Sequence, residues 1–108
     1  MIIIESKGYK RNKKRKLIDK HKTKELERLE NITSFIESKN TMKDVLDDNI
    51  SRIYNIRQKH NNLKEIFTAN LNDKLRLYMK PIGEYPYNLL EITEIEFDEI
   101  DDHHYGEG

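Results

Sequence analysis

The residues best equipped for chemistry gather near the end of the chain. Asp101, Asp102, His103, His104 and Tyr105 stand in a row, and Arg76 lies in an earlier run between Leu75 and Leu77. Cleaving RNA through its own 2′-hydroxyl needs a base to take that proton and an acid for the departing 5′-oxygen. It also needs a cation for the charge that builds on the phosphate. Histidine supplies the first two roles near neutral pH and arginine the third. His104 and Tyr105 at the end of one strand, with Arg76 on a neighbouring strand, place that set on one face. The same residue types also describe an exposed tail carrying ordinary surface histidines.

Other chemistries find less support. Adjacent residues on an extended chain point to opposite sides, so Asp101, Asp102, His103 and His104 cannot converge on one ion unaided. His21 and His60 could assist, but no spacing motif links them to the row. There is no Walker loop, no dinucleotide-binding glycine pattern and no nucleophile elbow. Neither a metal nor a cofactor is expected.

The elements that must position these residues can be read from periodicity. Ile2-Ile3-Ile4 is a β-branched run that predicts a first strand ending near Ser6. Helices are expected over Lys7 to Asp19 and Thr23 to Ser38. In the second, Leu26, Leu29, Ile32, Thr33 and Ile36 form one stripe, with Thr23 and Glu27 as a cap region. Thr41-Met42-Lys43-Asp44 starts a short helix. Ile53 and Ile56 sit in an ambiguous segment, followed by a polar loop over Gln58 to Asn62. Asn72-Asp73 joins the runs Leu63 to Leu71 and Lys74 to Lys80 into a hairpin. In the second run Leu75, Leu77 and Met79 alternate with Lys74, Arg76, Tyr78 and Lys80. That pattern puts an apolar face on the core and a cationic, aromatic face toward solvent. Leu89 to Ile100 fits neither period cleanly. It reads as a strand with a bulge near Thr93-Glu94, or alternatively as a helix. The expectation is one α+β domain over residues 1–108, with a flexible tail at 106–108.

Composition narrows the class. Hydrophobic residues make up 35% of the 108 and charged residues 37%, so the core must be thin: one helical layer on one face of a sheet. The absence of Cys rules out disulfides and thiolate metal sites, and suits a reducing compartment. The longest uncharged apolar run is Met1 to Ile4, too short for a membrane span or a signal core. A cytoplasmic protein without membrane contact is expected. The formal net charge is zero, yet Lys7, Lys10, Arg11, Lys13, Lys14, Arg15 and Lys16 crowd the start. From Glu84 onward there is no Lys or Arg. The basic start and the stretch from Arg52 to Lys80, basic again, make two basic faces behind a neutral total and suit a polyanion binder, though solvated faces that neutralise each other fit the same numbers.

The order strand, helices, then strands ending at a histidine resembles the RelE/HigB-type toxins of bacterial toxin–antitoxin pairs, within the RelE/ParE superfamily. Four stretches carry the resemblance. Ile-Ile-Ile-Glu-Ser-Lys-Gly-Tyr-Lys-Arg, from Ile2 to Arg11, resembles the family's first strand passing into a lysine-rich helix. Leu75-Arg76-Leu77-Tyr78 resembles its arginine-bearing strand, and Glu94 to Ile100 its alternating last strand. Asp102-His103-His104 stands where many members read Asp-Tyr-His, and His104-Tyr105 matches the His-Tyr ending of others. Where some members carry a histidine after the helices, this chain has Tyr54, and Asn61-Asn62 replaces loop glycines.

The resemblance implies helices packed on one face of a mainly antiparallel, twisted, RelE-like sheet. It implies a metal-independent endoribonuclease, an mRNA interferase that cleaves mRNA on the ribosome and inhibits translation. A cognate antitoxin would silence it, and a homodimer is compatible with the free state. Carried over, Arg76 stabilises the phosphate, His104 transfers a proton, Tyr105 or His103 orients the substrate, and Asp102 orients a histidine. Which of His103, His104 and Tyr105 is the base stays open. Lys59 and His60 occupy the family's basic loop. With Arg57, Lys74, Tyr78 and Lys80, and with Lys13, Lys14 and Lys16 at the start, they are the expected RNA contacts. The rival readings are a non-catalytic, gyrase-inhibitor-like member of the same fold and a nucleic-acid-binding module.

Overall fold

The computed structural model describes residues 1–61, 64–83 and 87–102. The expected first strand is β1, Ile2–Glu5. It passes at once into α1, Lys7–Lys13, which continues as a wider π-helical turn over Lys14–Ile18. Ser6 caps α1, its Oγ accepting from the Tyr9 amide at 3.0 Å and donating to the Asp98 carbonyl at 2.7 Å. Two α-turns span only about 7.2 residues. The π turn adds the remainder, so that Leu17, eight residues after Tyr9, falls on the same buried face as Tyr9.

Helix α2 spans Thr23–Glu37 and buries Leu29, Ile32 and Ile36, as its stripe predicts. The expected cap at Thr23 does not form. Lys22 holds the N-cap position and makes no side-chain cap bond. Helix α3, Met42–Asp47, is capped by Thr41, and α4 is a single turn, Ile50–Ile53. Then come β2, Arg57–Asn61; β3, Lys64–Asn70; β4, Leu75–Pro81; and β5, Glu94–Asp102.

These strands form one sheet in the order β1-β5-β4-β3-β2. Neighbours β2–β3, β3–β4 and β4–β5 are antiparallel, while β1 pairs with β5 in parallel, Ile3 opposite Ile95. The sheet is therefore mixed, not the mainly antiparallel sheet expected. A β-branched run specifies a strand but carries no direction. With nearly the whole chain between β1 and β5, no short turn forces antiparallel pairing. Past Glu5, α1 takes over the edge of β5. The Ser6 amide donates to the Phe97 carbonyl at 3.1 Å, and the Ile100 amide to Asn12 Oδ1 at 3.1 Å. The edge groups that β1 leaves behind are thus satisfied by the helix.

Three further expectations need correction. The polar loop over Gln58 to Asn62 is largely strand β2, paired from Arg57↔Thr68 to Asn61↔Lys64. An edge strand can live on backbone hydrogen bonds without an apolar period. The bulge lies at Asp98 and not near Thr93-Glu94: Met79 faces Phe97 and Tyr78 faces Glu99, so Asp98 is the extra residue. It resets the alternation, which is why Ile95, Phe97 and Ile100 are all buried despite their uneven spacing. Nor does Asn72-Asp73 make a two-residue turn. Leu71 still bonds to Leu75, and Asn72 Oδ1 accepts from the amides of Lys74 and Leu75 at 2.8 and 2.7 Å.

The core lies on one sheet face. Phe67, Ala69, Leu77, Met79, Ile95, Phe97 and Ile100 meet Tyr9, Leu17, Leu29, Ile32, Ile36, Met42 and Val45 from the helices. Tyr9 and Phe97 pack edge to face, with ring centroids 5.4 Å apart. The radius of gyration, 13.1 Å, matches the roughly 13 Å of one compact domain this size. Among the described residues no helix is long and apolar enough to cross a membrane.

Candidate nucleic-acid face

The sheet face turned away from the helices follows from the register. Residues directly opposite each other in an antiparallel pair share a face. One row reads Asp101, Arg76, Asn70, the next Glu99, Tyr78, Thr68, Arg57, and Lys80 stands opposite Glu96. Lys59 faces Ile66 on the same side. Arg76 is thus on the central strand, on the face expected for it, with its neighbours Leu75 and Leu77 pointing to the core.

Helix α2 reaches around to fix the end of β3 beside it. Arg28 donates from Nε to the Asn70 carbonyl at 2.6 Å and from Nη2 to the Ile53 carbonyl at 2.7 Å. Its guanidinium also lies 5.1 Å from the centroid of the Tyr54 ring. Asn70, the residue opposite Arg76, is therefore anchored from the helical side.

The aromatic part of the expected face differs from its reading. Tyr78 is on the right side but is 2% exposed, and its hydroxyl donates to the Asp102 carbonyl at 3.0 Å. With Ile66 it is buried outside the main core cluster. Thr68, next to it, is fully buried, and its Oγ1, like Asn70 Oδ1, has no hydrogen-bond partner among the described residues. No sequence signal marks Thr68 and Asn70, because the run that carries them has no polar alternation strong enough to single them out.

The charge on this face is also more balanced than alternation along β4 suggests. Each basic residue of β4 has a carboxylate of β5 opposite it: Arg76 faces Asp101 and Lys80 faces Glu96. Lys80 Nζ lies 3.3 Å from Asp98 Oδ2. β5 is a column of acid beside a column of base. A polyanion crossing the sheet toward β5 meets repulsion there, so the favourable field lies on the β4-to-β2 side, where Arg57 is exposed.

The register separates the two described members of the expected catalytic set. Asp102 stands opposite Leu75, so it shares the helix-side face, whereas Asp101 shares the face of Arg76. The Asp102 amide donates to Asp101 Oδ1 at 2.8 Å. Asp101 also accepts from Lys16 Nζ at 2.6 Å. Of the remaining expected residues, His103, His104 and Tyr105 lie outside the described residues. Lys74 sits in the Asn72 turn, exposed, and His60 is on β2 opposite Glu65. Lys14 pairs with Asp19 at 3.2 Å, and Lys13 lines a cavity of about 370 Å³ with Glu5, Tyr9 and Glu30. Burial and the nearby Glu5 hold the Tyr9 phenol well above the usual tyrosine range.

Compared with known proteins, the chain matches no family model, no curated protein and no solved structure.

Proposed function

We propose that this chain is a RelE/HigB-type toxin, a metal-independent endoribonuclease that cuts mRNA on the ribosome and is silenced by a cognate antitoxin. The observation that carries this reading is Arg76. It stands on the central strand, on the face turned away from the helical core, beside β5, whose last residue, Asp102, leads directly into His103-His104-Tyr105. In that role its guanidinium binds the scissile phosphate and offsets charge in the transition state, while His104 moves the proton. Asp101, held by Lys16, would set the orientation of Arg76 from the opposite strand.

The test is sequencing of RNA ends after brief induction, comparing the wild type with Arg76→Lys and His104→Ala. New ends within translated frames, lost in both variants, are the expected result. An unchanged end profile in all three refutes the ribonuclease reading.

One observation favours a second reading. The carboxylates of β5 oppose the basic residues of β4, which weakens the grip of this face on RNA. A non-catalytic member that acts by binding protein would show growth arrest with no new RNA ends.

A further inference from the structure

We propose that the exposed face of α1 docks the phosphate backbone of a structured RNA, separately from the face that bears Arg76. Lys7, Lys10, Arg11, Lys14 and Arg15 recur at three- and four-residue spacing, so they share one side of the helix. All five are exposed, while the opposite side buries Tyr9 and Leu17. Among the described residues Lys7, Lys10, Arg11 and Arg15 have no ion-pair partner. Lys14 reaches Asp19, but both side chains are exposed, 69% and 48%, and such a pair is readily given up. Lys16, by contrast, is turned away to Asp101, which ties the helix to β5.

The density of charge identifies the partner. From Lys7 to Arg15 a helix rises about 12 Å, so the stripe carries one positive charge per roughly 3 Å. A nucleic-acid strand carries one negative charge per about 3.4 Å of axis. A protein partner needs apolar or aromatic anchors to bury at the centre of its interface; between Lys7 and Arg15 the stripe offers none, and the exposed Ile18 lies past its end, not at its centre. Like charges at this spacing repel one another within the helix, and a phosphate strand removes that repulsion. The choice of RNA over DNA rests on the ribonuclease reading given above.

The test uses the full chain and a duplex of about 20 base pairs of 2′-O-methyl RNA, which has no free 2′-hydroxyl to cleave. Affinity is measured by fluorescence anisotropy across about 50 to 300 mM KCl. The expected result is a steep salt dependence that Lys7→Gln/Lys10→Gln/Arg11→Gln/Arg15→Gln flattens by about three to four units of slope. Arg11→Lys/Arg15→Lys should keep the slope. Lys43→Gln/Arg52→Gln, at exposed or half-exposed positions elsewhere, should change it far less per charge removed. An unchanged slope in the fourfold variant overturns the proposal, as does an equal loss per charge in the control. Stripe-dependent binding of polyglutamate without binding of RNA also overturns it and makes this an acidic-protein surface. Duplex binding that persists when the RNA-end profile is blank defeats the ribonuclease reading alone.

Discussion

Asn72 joins the β3–β4 turn to α2: its Oδ1 holds the amides of Lys74 and Leu75, and its Nδ2 donates to Glu25 Oε2 at 2.8 Å. This one side chain therefore shapes the turn that leads into the strand of Arg76. Asn72→Ala should cost about 1–2 kcal/mol from the two lost turn bonds, read as a lower urea midpoint.

The same contact gives a pH signature. Asn72, the largest influence, holds the Glu25 carboxyl below its ordinary value, with Lys22 and Lys24 adding to the effect. A carboxyl whose folded pKa is lowered contributes stability that is present above its unfolded pKa and lost as pH falls through the folded one. The stability gap between wild type and Asn72→Ala should therefore narrow below pH of about 4. A gap that is constant down to pH of about 2 would show that Glu25 takes no part.

Lys16 and Asp101 lead to a prediction that separates two uses of positive charge. Lys16 is engaged at 2.6 Å with Asp101, with side chains 30% and 38% exposed, whereas Arg11 faces solvent. Lys16→Gln should destabilise the fold by up to about 1 kcal/mol and change RNA affinity little. Arg11→Gln should do the reverse. Parallel urea melts and duplex titrations decide it, and equal effects on RNA affinity would place Lys16 on the docking face.

Much of the fold was legible in the sequence, for identifiable reasons. The α2 stripe and the β4 alternation each bury one clean face, so periodicity alone located Leu29, Ile32, Ile36, Leu77 and Met79. β2 was missed because its residues, Arg57 to Asn61, are polar throughout and pair through backbone groups. The bulge was misplaced because inserting Asp98 makes an ordinary strand look aperiodic. The direction of β1 was not legible at all, since parallel and antiparallel strands share one alternation. For the site, the face of Arg76 followed from its neighbours. The carboxylate opposite it, Asp101, comes from another strand 25 residues later, through a register that local sequence does not encode.

His104→Ala should abolish RNA cleavage, and a stability from urea melts within about 0.5 kcal/mol of wild type ties that loss to the chemistry and not to the fold. Cleavage of ribosome-bound mRNA at the wild-type rate would remove His104 from the mechanism. If only the rate falls when His103→Ala is made instead, that residue is the base.

Arg76→Lys is the sharpest test of the sheet face. The substitution keeps the charge opposite Asp101 and the outward position between Leu75 and Leu77. What it removes is the planar fork that can bind two phosphate oxygens at once. If Arg76 acts on the transition state, ribosome binding should persist while single-turnover cleavage falls roughly ten- to a thousandfold, the range for a lost oxyanion donor. If Arg76 only docks, binding should weaken and the rate on bound mRNA should hold. Asp101→Asn adds the second half of the argument. Should Asp101 orient the guanidinium, its loss lowers the rate in wild type and has less effect in the Arg76→Lys background, where no fork remains to be aligned. Additive losses in the double variant would separate the two residues and assign Asp101 to holding Lys16 and the Asp102 amide instead of the guanidinium.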